Sequence, residues 1–201
     1  MQKTIKPSGN GITELMKAAS KGDLRLAKAL VAGEADLNAT DIFGNSALIY
    51  AVSAGALDVT EFLLAQGADV RYAKPNGINA LAIAAENGHE KLLAPLLKAH
   101  LFAAARLGLT DELTVCLEEG ADANGRNAQD WTPLMLAAVN GHLGTVRALL
   151  RHGADPLARE ARGRTARTLA LVKGQSDVAL FLEQYRKGAS GHLTGLSSNV
   201  A

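Results

Sequence analysis

One residue recurs in this chain at a fixed interval, and that interval limits what the chain can fold into. Gly22, Gly55 and Gly88 stand 33 residues apart, as do Gly108, Gly141 and Gly174; only the step from Gly88 to Gly108 is shorter, at 20. The segments that end at these glycines share a frame: ELMKAASKG, ALIYAVSAG, ALAIAAENG, HLFAAARLG, PLMLAAVNG and ARTLALVKG. The stretch 131–155 shows the unit most clearly. Thr132 and Pro133 supply an N-cap and a proline for the first turn. Leu134, Ala137 and Ala138 then make one apolar face, and Gly141 stops the helix where a residue of positive φ is needed. Val146, Leu149 and Leu150 form the stripe of a second helix, which Gly153 stops. Helices of about two to three turns do not hold alone in water. Such a unit has to stack on copies of itself, and six frames in phase supply them.

A 33-residue period built of two helices and a loop resembles the ankyrin-repeat family, over residues 10–187. The resemblance implies an all-α repeat solenoid. Stacked helix-turn-helix units are joined by β-hairpin fingers, with six units of which one is truncated. The fingers are ADLNATDIFGNSA (35–47), ADVRYAKPNGINA (68–80), ADANGRNAQDWTP (121–133) and ADPLAREARGRTA (154–166). Gly44 turns the first, and Pro75, Asn76 and Gly77 turn the second. Asp130 occupies the glycine place of the third; aspartate tolerates positive φ, though less well than glycine. The family's first helix begins Thr-Pro-Leu-His, and here only Thr132-Pro133-Leu134 keeps the start. The histidine place holds Met16, Ile49, Ala82, Phe102, Met135 and Thr168. The hydrogen bonds that the histidine makes between repeats in the family are therefore expected to be missing.

The third repeat departs from the frame. Pro95 falls inside its second helix, where a proline costs about 3 kcal/mol if unrelieved. His100 replaces the terminal glycine and Leu101 already belongs to the next first helix, so one finger is absent. The expectation is that the second helix ends beside the next first helix, so the finger is cut out at a weak seam between repeats three and four. Residues 1–9 read as a flexible arm. The sixth repeat, with Glu183 and Gln184 after Phe181 and Leu182, reads as a polar C-terminal cap, and residues 188–201 as a disordered tail.

The composition excludes several functions. The single cysteine, Cys116, rules out a disulfide framework within the chain and reads as a core thiol. No apolar run approaches the ~20 residues of a membrane span. The first ten residues lack the apolar segment of a secretory signal, so the expectation is a soluble cytoplasmic protein, with the nucleus not distinguished. The histidines His89, His100, His142, His152 and His192 form no metal-binding spacing, and no phosphate-binding glycine motif occurs. We therefore expect no catalytic residues, no metal and no cofactor.

What remains is a surface. The resemblance implies that fingers and first helices line a concave face that binds another protein. The matching positions here are Ile42, Phe43, Tyr72 and Ile78 on the first two fingers, and Arg126, Trp131, Arg162 and Arg164 on the last two. Residues 1–146 carry 12 basic and 16 acidic side chains; residues 147–187 carry 9 basic and 4 acidic. The basic end points to a protein partner with an acidic segment. Nucleic acid fits less well, because the arginines are not interleaved with aromatics. The reading is a non-enzymatic, monomeric scaffold or adaptor. The alternatives are a regulatory or inhibitory subunit of an enzyme, or a nucleic-acid binder acting through the basic end.

Overall fold

The computed structural model describes residues 10–75 and 77–194, with only the backbone from 188 onward. The N-terminal arm expected over 1–9, Asn76, and residues 195–201 lie outside the described residues. The described residues form eleven helices: α1 (Glu14–Ser20), α2 (Leu24–Ala32), α3 (Ala47–Ser53), α4 (Leu57–Ala65), α5 (Ala80–Glu86), α6 (Glu90–Leu107), α7 (Thr110–Glu118), α8 (Pro133–Val139), α9 (Leu143–Arg151), α10 (Ala166–Val172) and α11 (Ser176–Thr194). The chain divides at His100/Leu101 into two compact units.

Five first helices, α1, α3, α5, α8 and α10, are seven residues long and start on a residue that spends its side chain as a cap. Thr13, Ser46, Asn79, Thr132 and Thr165 each accept a hydrogen bond from the backbone N–H three residues on. The missing family histidine is replaced in three of these turns. Thr13 N–H donates to Met16 Sδ at 3.3 Å, Thr132 N–H to Met135 Sδ at 3.5 Å, and Thr165 N–H to Thr168 Oγ1 at 2.7 Å. In these turns the reciprocal cap has a thioether or hydroxyl as acceptor, a bond within the turn rather than between repeats. A turn glycine with φ between 66° and 79° then joins the first helix to the second at Gly22, Gly55, Gly88, Gly108, Gly141 and Gly174.

The first unit closes over Leu15, Met16, Leu48, Ile49, Leu63, Leu92 and Leu96, and the second over Leu101, Leu113, Leu134, Met135 and Leu149. Cys116 belongs to this second core. Burial, with Glu119 and Glu112 nearby, pushes its thiol up to about 11, so it stays protonated and unreactive at neutral pH.

Two sequence expectations are corrected. The fingers are not β-hairpins: among the described residues the sole β pairing is an isolated antiparallel bridge between Ala73 and Asn79. Each tip closes within five residues and the chain passes at once into the next N-cap, leaving no length for a ladder. The chain also makes no turn at His100. The second helix of repeat three and the first helix of repeat four are one helix, α6, of 18 residues with Pro95 inside it. Four other second helices, α2, α4, α7 and α9, stop at nine residues beside a glycine. At 99–100 the chain offers Ala99 in the N-cap place and His100 in the glycine place, so neither a stop nor a start interrupts the backbone ladder. The same rule accounts for α11. Arg186 stands where Gly153 stood one repeat earlier, and the helix runs on to Thr194, past Lys187, into the segment whose composition suggests a tail without structure.

Candidate docking surface

The four fingers are built on one plan. In each, a residue donates its N–H to a carbonyl four residues on and accepts from the N–H three residues on. These residues are Asp41 with Asn45 and Gly44, Lys74 with Ile78 and Gly77, Asn127 with Trp131 and Asp130, and Glu160 with Arg164 and Gly163. The fourth residue of each turn has positive φ: Gly44 at 73°, Gly77 at 82°, Asp130 at 63° and Gly163 at 76°. Asp130 therefore adopts the glycine conformation that its place in the repeat requires.

In three fingers the first residue also fastens the tip with its side chain. Asp41 is buried, and its carboxylate accepts from Phe43 N–H (2.9 Å), Asn45 N–H (2.8 Å), the Asn45 amide (2.9 and 3.2 Å) and the Tyr50 hydroxyl (2.8 Å). Burial alone raises its pKa, but hydrogen bonds from Asn45, Tyr50 and Phe43 outweigh it and hold the carboxyl below its ordinary value of 3.8. The hydroxyl of Tyr50 is raised in turn, by burial and by its bond to Asp41. Asn127 accepts from Gln129 N–H and Trp131 N–H. Glu160 accepts from Arg164 N–H and Nε; the Arg164 hydrogen bond, opposed by burial, holds this carboxyl below its usual range.

These fastenings leave the tip side chains without a task in the fold. Ile42 and Phe43 are 69% and 65% exposed on the first finger. The Ile42 N–H is tied to the Asn10 carbonyl at 3.2 Å, so the pair is shown from a fixed backbone. Tyr72 and Pro75 of the second finger lie against the first: a Cβ on Gly44 would stand 2.8 Å from Pro75 Cδ and 3.1 Å from Tyr72 Oη. The first unit thus brings Ile42, Phe43 and Tyr72 into one neighbourhood, with Ile78 half-buried at the foot of the second finger.

In the second unit the arginines divide into two kinds. Arg126 is ion-paired with Asp130 at 3.0 Å and also donates to the Asp130 carbonyl (2.9 Å) and, across to the next finger, the Arg159 carbonyl (2.8 Å). Arg164 is ion-paired with Glu160 at 3.0 Å. Both hold their fingers as much as they charge the surface. Arg162 is exposed at the last tip, and Trp131 is half-buried beside Asp130. Sequence reasoning missed the links between fingers. Asn38 accepts from Asp69 N–H at 2.9 Å, and Asn124 joins Gly153 O (2.9 Å) and Asp155 N–H (2.7 Å). An asparagine at the same offset before a Gly-Ala-Asp run was the available signal. His89 and His142 each lie 36 residues beyond a carbonyl that their Nε2 meets: Ser53 O at 3.3 Å and Arg106 O at 3.0 Å. They sew one repeat to the one before. Among the described residues no group of His, Cys, Asp and Glu is placed to hold a metal ion, and no helix is long and apolar enough to cross a membrane.

Comparison with known proteins gives the same division of the chain. A family model described as Ankyrin repeats (3 copies) matches twice, over residues 15–101 and 101–192, and the two matches meet inside α6. The Ankyrin repeat and KH domain-containing protein mask-1 of Caenorhabditis elegans is 30% identical over 175 residues, which is 86% of this chain and 6% of that protein. A protein named L-asparaginase from Dirofilaria immitis is 32% identical over 155 residues, 71% of this chain and 26% of its own length. Protein VAPYRIN-LIKE of Medicago truncatula is 38% identical over 86 residues, 42% of this chain and 18% of its own. The chain spans a small part of each of these relatives, so their names describe proteins most of which it does not match.

Proposed function

Since the chain belongs to the ankyrin-repeat family, whose repeats are protein–protein interaction modules, we propose that it is a non-enzymatic scaffold or adaptor that grips a protein partner with its fingertips and first helices. The observation that carries the reading is the separation of duties within each finger. Backbone bonds and a carboxylate or amide fix the turn, while Ile42, Phe43 and Arg162 face water. A fixed backbone that shows apolar and cationic side chains loses little entropy on binding. Trp131 supplies the aromatic type that dominates binding hot spots. The partner segment carries carboxylates for the second unit, where Arg162 and Lys173 are exposed. The cytoplasm is the compartment we assign.

Affinity capture of a partner, followed by titration, tests this. Trp131→Ala should weaken binding by more than about 1 kcal/mol while the melting temperature holds. Arg162→Glu should slow association, and most at low salt. Arg164 is unsuited to this purpose, since its loss would release Glu160 within the finger. A confirmed partner that binds both variants as it binds the wild type would show that the fingers are not the site.

A further inference from the structure

In every repeat the two residues that precede the turn glycine reach the surface. In the first unit they are Ser20 and Lys21, Ser53 and Ala54, Glu86 and Asn87, and all of them are exposed. In the second unit they are Arg106 and Leu107, Val139 and Asn140, Val172 and Lys173. Leu107 is 42% and Val172 70% exposed; Val139, with a repeat on either side of it, is half-buried. The exposure belongs to the place in the repeat and not to a missing neighbour. Nor does the fold ask for large apolar side chains there, since the first unit fills the same places with serine, lysine, alanine, glutamate and asparagine. The turns that follow these residues in the second unit lie against one another. His142 Nε2 meets the Arg106 carbonyl at 3.0 Å, and its ring stands where a Cβ on Gly108 would go. The Gln175 side chain stands in the same way beside Gly141. Leu107, Val139 and Val172 therefore sit at adjoining places on successive repeats and form one strip. Isolated exposed apolar residues are ordinary, but a run of them is a docking feature.

The strip is bounded by cations. The segments that carry it, 101–107, 133–140 and 166–173, hold Arg106, Arg167 and Lys173 and no Asp or Glu. Arg167 is taken by Glu183 at 3.0 Å, while Arg106 and Lys173 are exposed, one at each end of the strip. In the adjoining fingers Asp130 is paired with Arg126 and Glu160 with Arg164, and Arg162 is exposed. Asp111, Glu112 and Asp177 follow the turns, in the first turns of α7 and α11, where unpaired backbone N–H groups offset their charge. Glu118, Glu119, Asp122 and Asp155 come at or after the far ends of the second helices, about 13 Å along the helix axis from the turns. We propose that the strip holds a short segment of a partner protein, with apolar side chains at its centre and carboxylates towards both ends. Helices packed about 10 Å apart place its ends roughly 20 Å from one another, which about six extended residues span. Pairing of the strip with its own copy would set Arg106 and Lys173 against the same cations. The inference rests on the protein-binding reading above and names the partner's chemistry, but its residues include neither Trp131 nor Arg162.

The probe is a displayed library of random dodecapeptides, selected on the full chain. Selection should enrich peptides with an apolar centre between aspartates or glutamates, and the most enriched peptide, synthesised with a fluorophore, should bind saturably. Leu107→Ser combined with Val172→Ser should weaken that binding at least tenfold and leave the circular dichroism and melting curve in place. Arg106→Glu combined with Lys173→Glu should weaken it at least tenfold as well. No enriched sequence, an enriched sequence without carboxylates or without an apolar centre, or binding that either pair of substitutions leaves unchanged overturns the proposal. A peptide that is lost with Trp131→Ala or Arg162→Glu but binds the Leu107→Ser, Val172→Ser chain as it binds the wild type overturns this inference and leaves the fingertip reading in place. Two further results also overturn it. One is a concentration-dependent dimer of the chain alone in sedimentation velocity that Leu107→Ser with Val172→Ser abolishes, which assigns the strip to a second copy. The other is full protection of Leu107 and Val172 from carbene labelling in the chain alone, which assigns it to other residues of the same chain.

Discussion

Asp41 shows how much one residue carries in a repeat this small. Its carboxylate gathers the Phe43 and Asn45 N–H groups, the Asn45 amide and the Tyr50 hydroxyl, and its pKa is depressed below 3.8 despite burial. A depressed carboxylate stabilises the fold above its unfolded pKa, and that contribution disappears as pH falls through the folded value. Asp41→Asn keeps an acceptor for the backbone, as Asn127 does in the third finger, but loses the second oxygen. The substitution should cost about 1–3 kcal/mol at neutral pH, and the gap to the wild type should close as both are taken to strong acid. Urea midpoints across pH measure it; a gap that does not change with pH would show that the charge is not what stabilises the finger. Gly141 is constrained twice, by a φ of 79° and by the Gln175 side chain lying where a Cβ would go. Gly141→Ala should lose roughly 1–2 kcal/mol from the backbone alone. Adding Gln175→Ala should recover only the steric excess. Full recovery in the double variant would mean that the left-handed turn costs alanine nothing here.

At the scale of the element, the length of a second helix is decided by one position. Where that position is Gly67, Gly120 or Gly153, the helix before it has nine residues; where it is His100 or Arg186, the helix runs to 18 or 19. Glycine takes the positive φ that halts an α-helix, and Glu34 takes it at the same place in the first repeat, with φ 62°, after a helix of nine residues; His100 and Arg186 do not, and the ladder continues. Pro95 is the flaw in α6, since it leaves the Lys91 carbonyl without its intrahelical donor. Pro95→Ala should therefore stabilise the protein, by up to about 3 kcal/mol. His100→Gly should destabilise it by about 1 kcal/mol while removing helical signal. Thermal melts followed at 222 nm distinguish them, and a stabilising His100→Gly would mean that the fused helix is under strain.

At the scale of the whole molecule, the two compact units meet inside α6, as do the two three-copy family matches. A repeat array of one cooperative kind would transmit a local loss to every repeat. Two units lead to a different expectation: Gly141→Ala should accelerate amide exchange across residues 101–187 and leave residues 10–93 at wild-type rates. Exchange mass spectrometry reads both halves at once, and acceleration throughout would show a single cooperative array. Much of this molecule was legible in its sequence, because the repeat enforces itself locally. The turn glycines, the caps at Thr132 and its equivalents, and the positive φ of Asp130 all follow from the 33-residue frame, since each depends on backbone geometry within a few residues. What only the tertiary structure decided are the outcomes that depend on neighbours distant in sequence. Whether Arg126 is a free charge or a clamp depends on where Asp130 and the Arg159 carbonyl lie in space. Whether a position is core or surface depends on its packed neighbours: Ala138 is fully buried on α8, and Leu171, 33 residues later on α10, is exposed. Burial is a property of the packed assembly, and the same frame position reads alike in the sequence whether or not a neighbour is there.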